Sequence, residues 1–193
     1  MSQAFAEIAY TETVRQAQAR YNGAPLPIGS STGNTLGTRE RNFIAERDSF
    51  YMATVSQSGW PHVQHRGGPL GFLQVLGPTQ IGFADLDGNR QYVSVGNVTA
   101  NPHVAMILMD YPAQRRMKIL ATATVLDAGD APPALLLQLL SPFPTGMTAR
   151  RLFILDVAAF DWNCSRFITP RYALDDPRLD VLHPPPPSPS HKE

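Results

Sequence analysis

The 193-residue sequence has a single cysteine, Cys164. An intramolecular disulfide is therefore excluded, and so is a cysteine-rich zinc site. A lone cysteine of this kind is ordinarily a small buried apolar residue. Long apolar runs are missing as well, since none approaches the ~18 residues that span a bilayer. The opening MSQAFAEIAYTETVRQ lacks a basic region followed by an apolar core, so no secretory signal is read and the expected location is cytoplasmic. Neither sign of charge is in excess, with 16 basic residues against 16 acidic ones. That balance argues against nucleic acid or a membrane surface as the partner, while still allowing a local basic pocket for a small anion. No Walker or Rossmann glycine pattern occurs; GGPLG at 67–71 has the wrong spacing and lies between strands. There is no G-x-S-x-G elbow, and Cys164 in DWNCSRF has no evident paired base. Asp85 and Asp87 fall in a turn, where aspartate is common anyway, so no catalytic residue can be named.

What is present is enough apolar sequence, 43%, for one sizeable core with appended arms. Residues 3–20 read as a helix stopped by Asn22-Gly23, followed by the irregular arm GAPLPIGSSTGNTLGT. Thr38 is placed to cap a short helix, RERNFIAER. The period then switches to two. FYMATVS, WPHVQHRG, FLQVLG and TQIGFAD are short β-type runs and read as an antiparallel meander of four strands. A helix RQYVSVGNVTA, a buried strand HVAMILMDY and a long strand RMKILATATVL follow. Pro132 and Pro133 open a helix with the body LLLQLL, and RRLFILDVAAFDWN is the last strand. About six strands joined mostly by hairpins predict a mainly β protein, an antiparallel barrel with flanking helices. The division expected is an N-terminal helix and arm over 1–37, a barrel domain over 38–175, and a Pro-rich disordered tail over 176–193.

Within this pattern WPHVQHRGGP stands out. On a strand, Trp60, His62, Gln64 and Arg66 share one face while Pro61, Val63, His65 and Gly67 share the other. The two histidines therefore diverge, and with no carboxylate nearby in sequence a metal site is not expected. A polar strip on an edge strand would account for His62 and Gln64. It accounts poorly for Arg66-Gly67-Gly68, because consecutive glycines mark a bulge or a close backbone approach. An arginine beside such a segment suits an anion or a planar ring. A second basic cluster lies in DLDGNRQY, where Asn89 can cap and Arg90-Gln91 open the helix, so that free amides and a full charge form a phosphate cradle. An ordinary capped helix with a surface arginine is the plain alternative. In the third cluster, QRRMKIL, Arg116 and Lys118 point one way along a strand. The three cationic sites could converge on one phosphate-bearing ligand.

The order of elements, with QHRGGPLGFL, GNRQY and WNC as its fixed points, resembles the pyridoxamine 5'-phosphate oxidase-like, FMN-binding split-barrel family over roughly residues 38 to 170. The resemblance implies a six-stranded antiparallel split barrel and a homodimer with FMN in a cleft between the subunits. It implies flavin contacts from Gln64, His65, Arg66 and Gly67, from Ala84 and Asp85 before the helix, and from Arg116 of one subunit or the other. Asn89, Arg90 and Gln91 would surround the phosphate, with Gln91 standing where the oxidases typically carry lysine. The C-terminal arginine and histidine pattern of the true oxidases is not matched by WNCSRFITPRYALDD, so vitamin B6 oxidation is not implied. The function this leaves is an FMN-dependent oxidoreductase with another small-molecule redox partner, NAD(P)H among the candidates. A flavin or haem carrier on the same barrel is the alternative. Trp162 and Asn163 either cover the flavin edge or belong to the core.

Overall fold

The computed structural model describes residues 2–24, 26, 33–173 and 176. The Pro-rich tail and much of the expected arm lie outside the described residues. The N-terminal helix is two helices, α1 (Gln3–Ala9) and α2 (Glu12–Asn22). The break has a local cause: Thr11 leaves helical geometry, and its hydroxyl accepts a hydrogen bond from the Val14 N–H. Helix α1 docks on the barrel through buried Phe5 and Ala6, and the Ser2 hydroxyl donates to the Phe160 carbonyl at 2.7 Å. Helix α3 (Thr38–Ala45) starts one residue earlier than expected. Gly37, not Thr38, is its N-cap, and the Gly37 N–H donates to Glu40 Oε2.

Seven strands form the sheet, one more than expected: β1 (Ser49–Val55), β2 (Pro61–Gly67), β3 (Gln74–Gly77), β4 (Gln80–Asp85), β5 (His103–Asp110), β6 (Arg115–Asp127) and β7 (Arg151–Trp162). Helix α4 (Val93–Ala100) links β4 to β5, and α5 (Pro133–Leu140) links β6 to β7. Every pairing is antiparallel, in the order β2-β1-β5-β6-β7-β4-β3. The four-strand meander is therefore corrected to two hairpins, β1–β2 and β3–β4, at opposite ends of the sheet. The chain leaves β2 through Gly68-Pro69 and turns at Gly71, whose φ of 78° is left-handed. Sequential neighbours pair by default, and only the long-range register overrides that default here.

The larger core lies on one face of the sheet, and a smaller cluster of Ala84, Leu139, Leu152 and Ile154 lies on the other face with α5. Phe50, Phe72, Phe83 and Phe153 are each 2% exposed or less. Phe83 and Phe153 stack with centroids 4.9 Å apart, and Phe50 meets Phe83 edge-on at 5.3 Å. Burying each such ring contributes about 1.5–3 kcal/mol before ordering costs. The pair Gly67-Gly68 finds part of its explanation here. A Cβ on Gly68 would lie 2.7 Å from Phe72 Cγ, so the close approach at this glycine is made by the protein's own ring. Ser94 and Asn97 of α4 are buried against the barrel, and the Asn97 amide donates to Thr54 Oγ1 at 2.9 Å.

Candidate functional site

Strand β2 alternates as its sequence predicts. His62, Gln64 and Arg66 are half-buried on the core-facing side, whereas Val63 and His65 are exposed. Arg66 pairs with Phe50 across the ladder, which puts its side chain over the aromatic core, 5.3 Å from the Phe153 ring centroid. His62 Nε2 lies 3.3 Å from Gln64 Oε1, and the two histidines do not meet. Among the described residues no cluster of three His, Cys, Asp or Glu could hold a metal ion.

Opposite Arg66, β4 ends at Asp85, which is 7% exposed, a buried strand residue where the sequence read as a turn. Arg66 Nη1 donates to Asp85 Oδ1 at 2.6 Å. Asp85 Oδ2 accepts from Arg151 Nε at 3.0 Å and Nη2 at 2.8 Å. The loop then runs to α4, which starts at Val93 rather than at Arg90. Arg90 and Tyr92 adopt left-handed backbone, with φ of 59° and 52°, so neither Arg90 nor Gln91 is helical. Asn89 does not cap α4; its Oδ1 accepts from the Gln91 N–H. The N-cap is Tyr92, which makes no side-chain cap bond, so the first amides of α4 have no cap acceptor.

These elements enclose a recess lined by Gln64, Arg66, Asp85, Asn89, Arg90, Tyr92, Ser94 and Arg151, among others. An adjoining groove is lined by His65, Gly67, Phe72, Ala84 and Phe143, and it shares Arg66 and Asp85 with the recess. Of the residues expected at the site, Gln64, His65, Arg66, Gly67, Ala84, Asp85, Asn89 and Arg90 thus come together. Two do not. Gln91 lines neither hollow. Arg116 sits on the other face of the sheet: Arg66, Phe50, Leu108 and Met117 share the core face through their pairings, and Arg116 precedes Met117. Arg116 and Lys118 do share a face as expected, but it is not the face of Arg66, so the three cationic clusters do not converge within one chain. Arg116 Nε and Asn163 Oδ1 are both buried without a partner among the described residues, and the Asn163 N–H donates to the Arg116 carbonyl. Trp162 packs on the core, with its Nε1–H donating to Glu40 Oε1 at 2.8 Å. Cys164 is exposed, contrary to expectation, and its Sγ accepts from the Arg166 N–H.

Sequence reading missed Arg151, Ser94 and Tyr92. Arg151 and Arg150 could have been found from charge complementarity, since Asp85 and Asp87 face them as DLD against RR: Asp85 pairs with Arg151, and Asp87 with Arg150. Burial works against the Arg151 charge, but hydrogen bonds and charge from Asp85 and Tyr92 outweigh it and hold the guanidinium above its ordinary pKa. Three guanidiniums against two carboxylates leave the recess positive, and Asp87 is already taken by Arg150 outside it. Two polar atoms of residues that line the recess, Arg66 Nε and Ser94 Oγ, are buried with no partner among the described residues. Buried polar atoms are almost always paired, so these mark where an outside acceptor fits. A guanidinium, a hydroxyl and the uncapped start of α4 thus stand together, donors of the kind that an anion accepts from.

Comparison with known proteins agrees with the architecture. No curated protein matches the chain. A conserved hypothetical protein, Rv2991 from Mycobacterium tuberculosis, superposes with a TM-score of 0.52 at 13% identity, covering 79% of this chain and 99% of that one. HupZ of Group A Streptococcus gives 0.51 at 12% identity, over 71% and 98% of the two chains. A Lactobacillus delbrueckii protein provisionally named a pyridoxamine 5'-phosphate oxidase gives 0.50 at 22% identity, over 66% and 94%. At these identities the likeness concerns the fold, an antiparallel split barrel with flanking helices. The sequence model described as pyridoxamine 5'-phosphate oxidase matches residues 37–161, every strand but the last residue of β7 and the whole recess included, and the chain belongs to that family.

Proposed function

We propose that the chain binds FMN in this recess and works as an oxidoreductase on a substrate other than pyridoxamine phosphate. The observation that carries the reading is the pair of buried, unpartnered polar atoms, Arg66 Nε and Ser94 Oγ, in a cationic hollow at the start of α4. A phosphate monoester supplies the acceptors they lack, and the neighbouring groove of His65, Gly67, Ala84 and Phe143 offers a half-apolar wall to a planar ring. Arg90, exposed and at the rim, adds long-range attraction. Bound FMN would supply reversible two-electron chemistry, and the chain would supply anchoring, orientation and charge.

A homodimer is part of this reading. The sheet separates Arg116 from the recess within one chain, so only a second copy brings the two together. The outer face around Val63, Ala53, Ala105, Ile107 and Leu120 is apolar and open, which suits such a contact. NADH or NADPH is the reductant to try first.

The experiment is the absorption spectrum of the purified protein with and without added FMN, followed by anaerobic titration with NADPH. Visible flavin bands are expected, and Arg66→Ala should weaken FMN retention by about 1.5–3 kcal/mol, with Arg90→Ala at the lower end of that range. A colourless protein that takes up no added FMN defeats the proposal. Bound flavin that neither NADH nor NADPH reduces, and that oxygen does not reoxidise after chemical reduction, would turn the reading to a carrier. A Soret band would turn it to haem.

A further inference from the structure

The seven-stranded sheet ends at β2 on one side and at β3, next to β4, on the other. Its two ends are not joined by a backbone ladder, yet they are joined by side chains. Arg66 belongs to the edge strand β2 and Asp85 to the end of β4, and their 2.6 Å ion pair crosses the split. Asp85 is in turn fixed from its own side of the split. Arg151 opens β7 directly opposite it in register and donates from both Nε and Nη2 to Oδ2, leaving Oδ1 for Arg66. Arg151 also lies 4.8 Å from the centroid of the Tyr92 ring at the recess rim. Arg66 is thus held by a carboxylate at one end and by two aromatic faces, Phe83 at 5.7 Å and Phe153 at 5.3 Å. Its buried Nε has no partner among the described residues.

We infer that Asp85 and Arg151 are positioning residues for the anion site: they act on the ligand through Arg66, by fixing its guanidinium across the split of the barrel. The inference rests on the reading of the recess as the flavin phosphate site. Two effects of Asp85 oppose each other. Its charge subtracts from the attraction for an anion, and its hydrogen bond removes the rotamer freedom of a long side chain before the ligand arrives. The first effect is muted, because Arg151 already neutralises the carboxylate through two short contacts. The second is not supplied by the rings that flank Arg66, since aromatic faces restrain a guanidinium plane but not its rotation within that plane. Positioning therefore outweighs charge.

The test compares FMN with riboflavin, which has the same ring and no phosphate. Affinities are read by flavin fluorescence for the wild type and for Asp85→Asn, Arg66→Gln and the double variant. Asp85→Asn should weaken FMN about tenfold, leave riboflavin unchanged, and have no further effect in the Arg66→Gln background, a coupling of ordinary size for residues in contact. Arg151→Lys keeps the charge and loses the fork, so it should weaken FMN severalfold and again spare riboflavin; it serves if Asp85→Asn does not fold. Tighter FMN binding by Asp85→Asn would show that the carboxylate merely competes with the ligand, and would overturn the inference. Equal losses for FMN and riboflavin, or a loss that persists without Arg66, would show a general structural role and overturn it too. A wild type that binds no FMN removes the reading beneath, whereas a wild type that binds FMN beside an unaffected Asp85→Asn removes this inference alone.

Discussion

Asp85 and Asp110 end their strands in the same way. Each closes a strand, each is 7% exposed, and each holds two guanidiniums. Their surroundings separate them. Asp110 Oδ2 accepts from Arg115 Nη2 at 2.6 Å and Nε at 3.2 Å, and its Oδ1 caps the hairpin turn through the Ala113 N–H. Its second arginine, Arg47, also donates to the Phe43 and Met109 carbonyls and to Glu46 Oε2, and lies over the Phe43 ring. That cluster is closed, with an acceptor for each of those donors, and it ties α3 to the β5–β6 hairpin. The Asp85 cluster likewise holds two arginines on one aspartate but leaves Arg66 Nε unpaired among the described residues, beside a hollow. A buried aspartate between two arginines therefore says nothing about function by itself. The unfilled donor does.

Substitutions can break this contrast. The largest effect belongs to Asp110→Ala, which removes the buried carboxylate beside Arg47 and leaves it only the exposed one of Glu46 among the described residues. It should lower the unfolding free energy by about 2 kcal/mol, less than a fully buried pair would lose because Arg115 is half-exposed and Glu46 stays beside Arg47, and a urea titration reads it. FMN affinity should stay unchanged. The same carboxylate gives a pH signature. Burial alone would push its pKa up, but hydrogen bonds from Arg115 and the Ala113 N–H, with the charges of Arg47 and Arg115, outweigh burial and hold it below the ordinary value. A depressed carboxylate contributes stability that is complete above its unfolded pKa and disappears as pH falls through the folded one. Wild-type stability should thus drop on acidification below about pH 4, and Asp110→Asn should flatten that part of the curve.

Ser94→Ala is the next test, and its sign is the informative part. The hydroxyl is buried without a partner among the described residues, so removing it should leave the ligand-free protein as stable or about 1 kcal/mol more stable, by thermal melting. The same change should weaken FMN by about 1 kcal/mol, because the ligand loses a donor. A hydroxyl with a purely structural role would give the opposite pattern. The smallest effect is expected from Gln91→Lys. Gln91 lines neither hollow, so the added charge acts from the surface and should tighten FMN by less than about 0.5 kcal/mol, vanishing in high salt.

The local half of this site was legible in the sequence. The alternation of β2 separated His62 from His65 and set Arg66 on the face opposite His65, because period two is a property of the strand itself. The resemblance brought Arg66, Asp85 and Arg90 to one place, and the recess holds all three. What stayed hidden was non-local. Arg151 reads as the first residue of a strand, and nothing near it reveals that β7 lies against β4 with Asp85 opposite. Helix α4 starts later than its sequence predicts: Arg90-Gln91 are sound helix residues, and the left-handed backbone at Arg90 and Tyr92 overrides that preference. Sequence alone does not separate Arg116 from the other cations, because pattern gives a residue's face only relative to its own strand. Which of the two faces looks into the barrel is decided by pairing.

The joint across the split has one more consequence. Elsewhere in this barrel, neighbouring strands are spaced by backbone hydrogen bonds, which no single substitution can lengthen. At the split the span is made by side chains, one arginine and one aspartate at the mouth and Phe50 against Phe83 beneath them. Exchanging the arginine or the aspartate for a shorter or longer homologue would change the bore of the barrel mouth one codon at a time, without shifting the register of any strand. This scaffold is thus adjustable in width beside the recess.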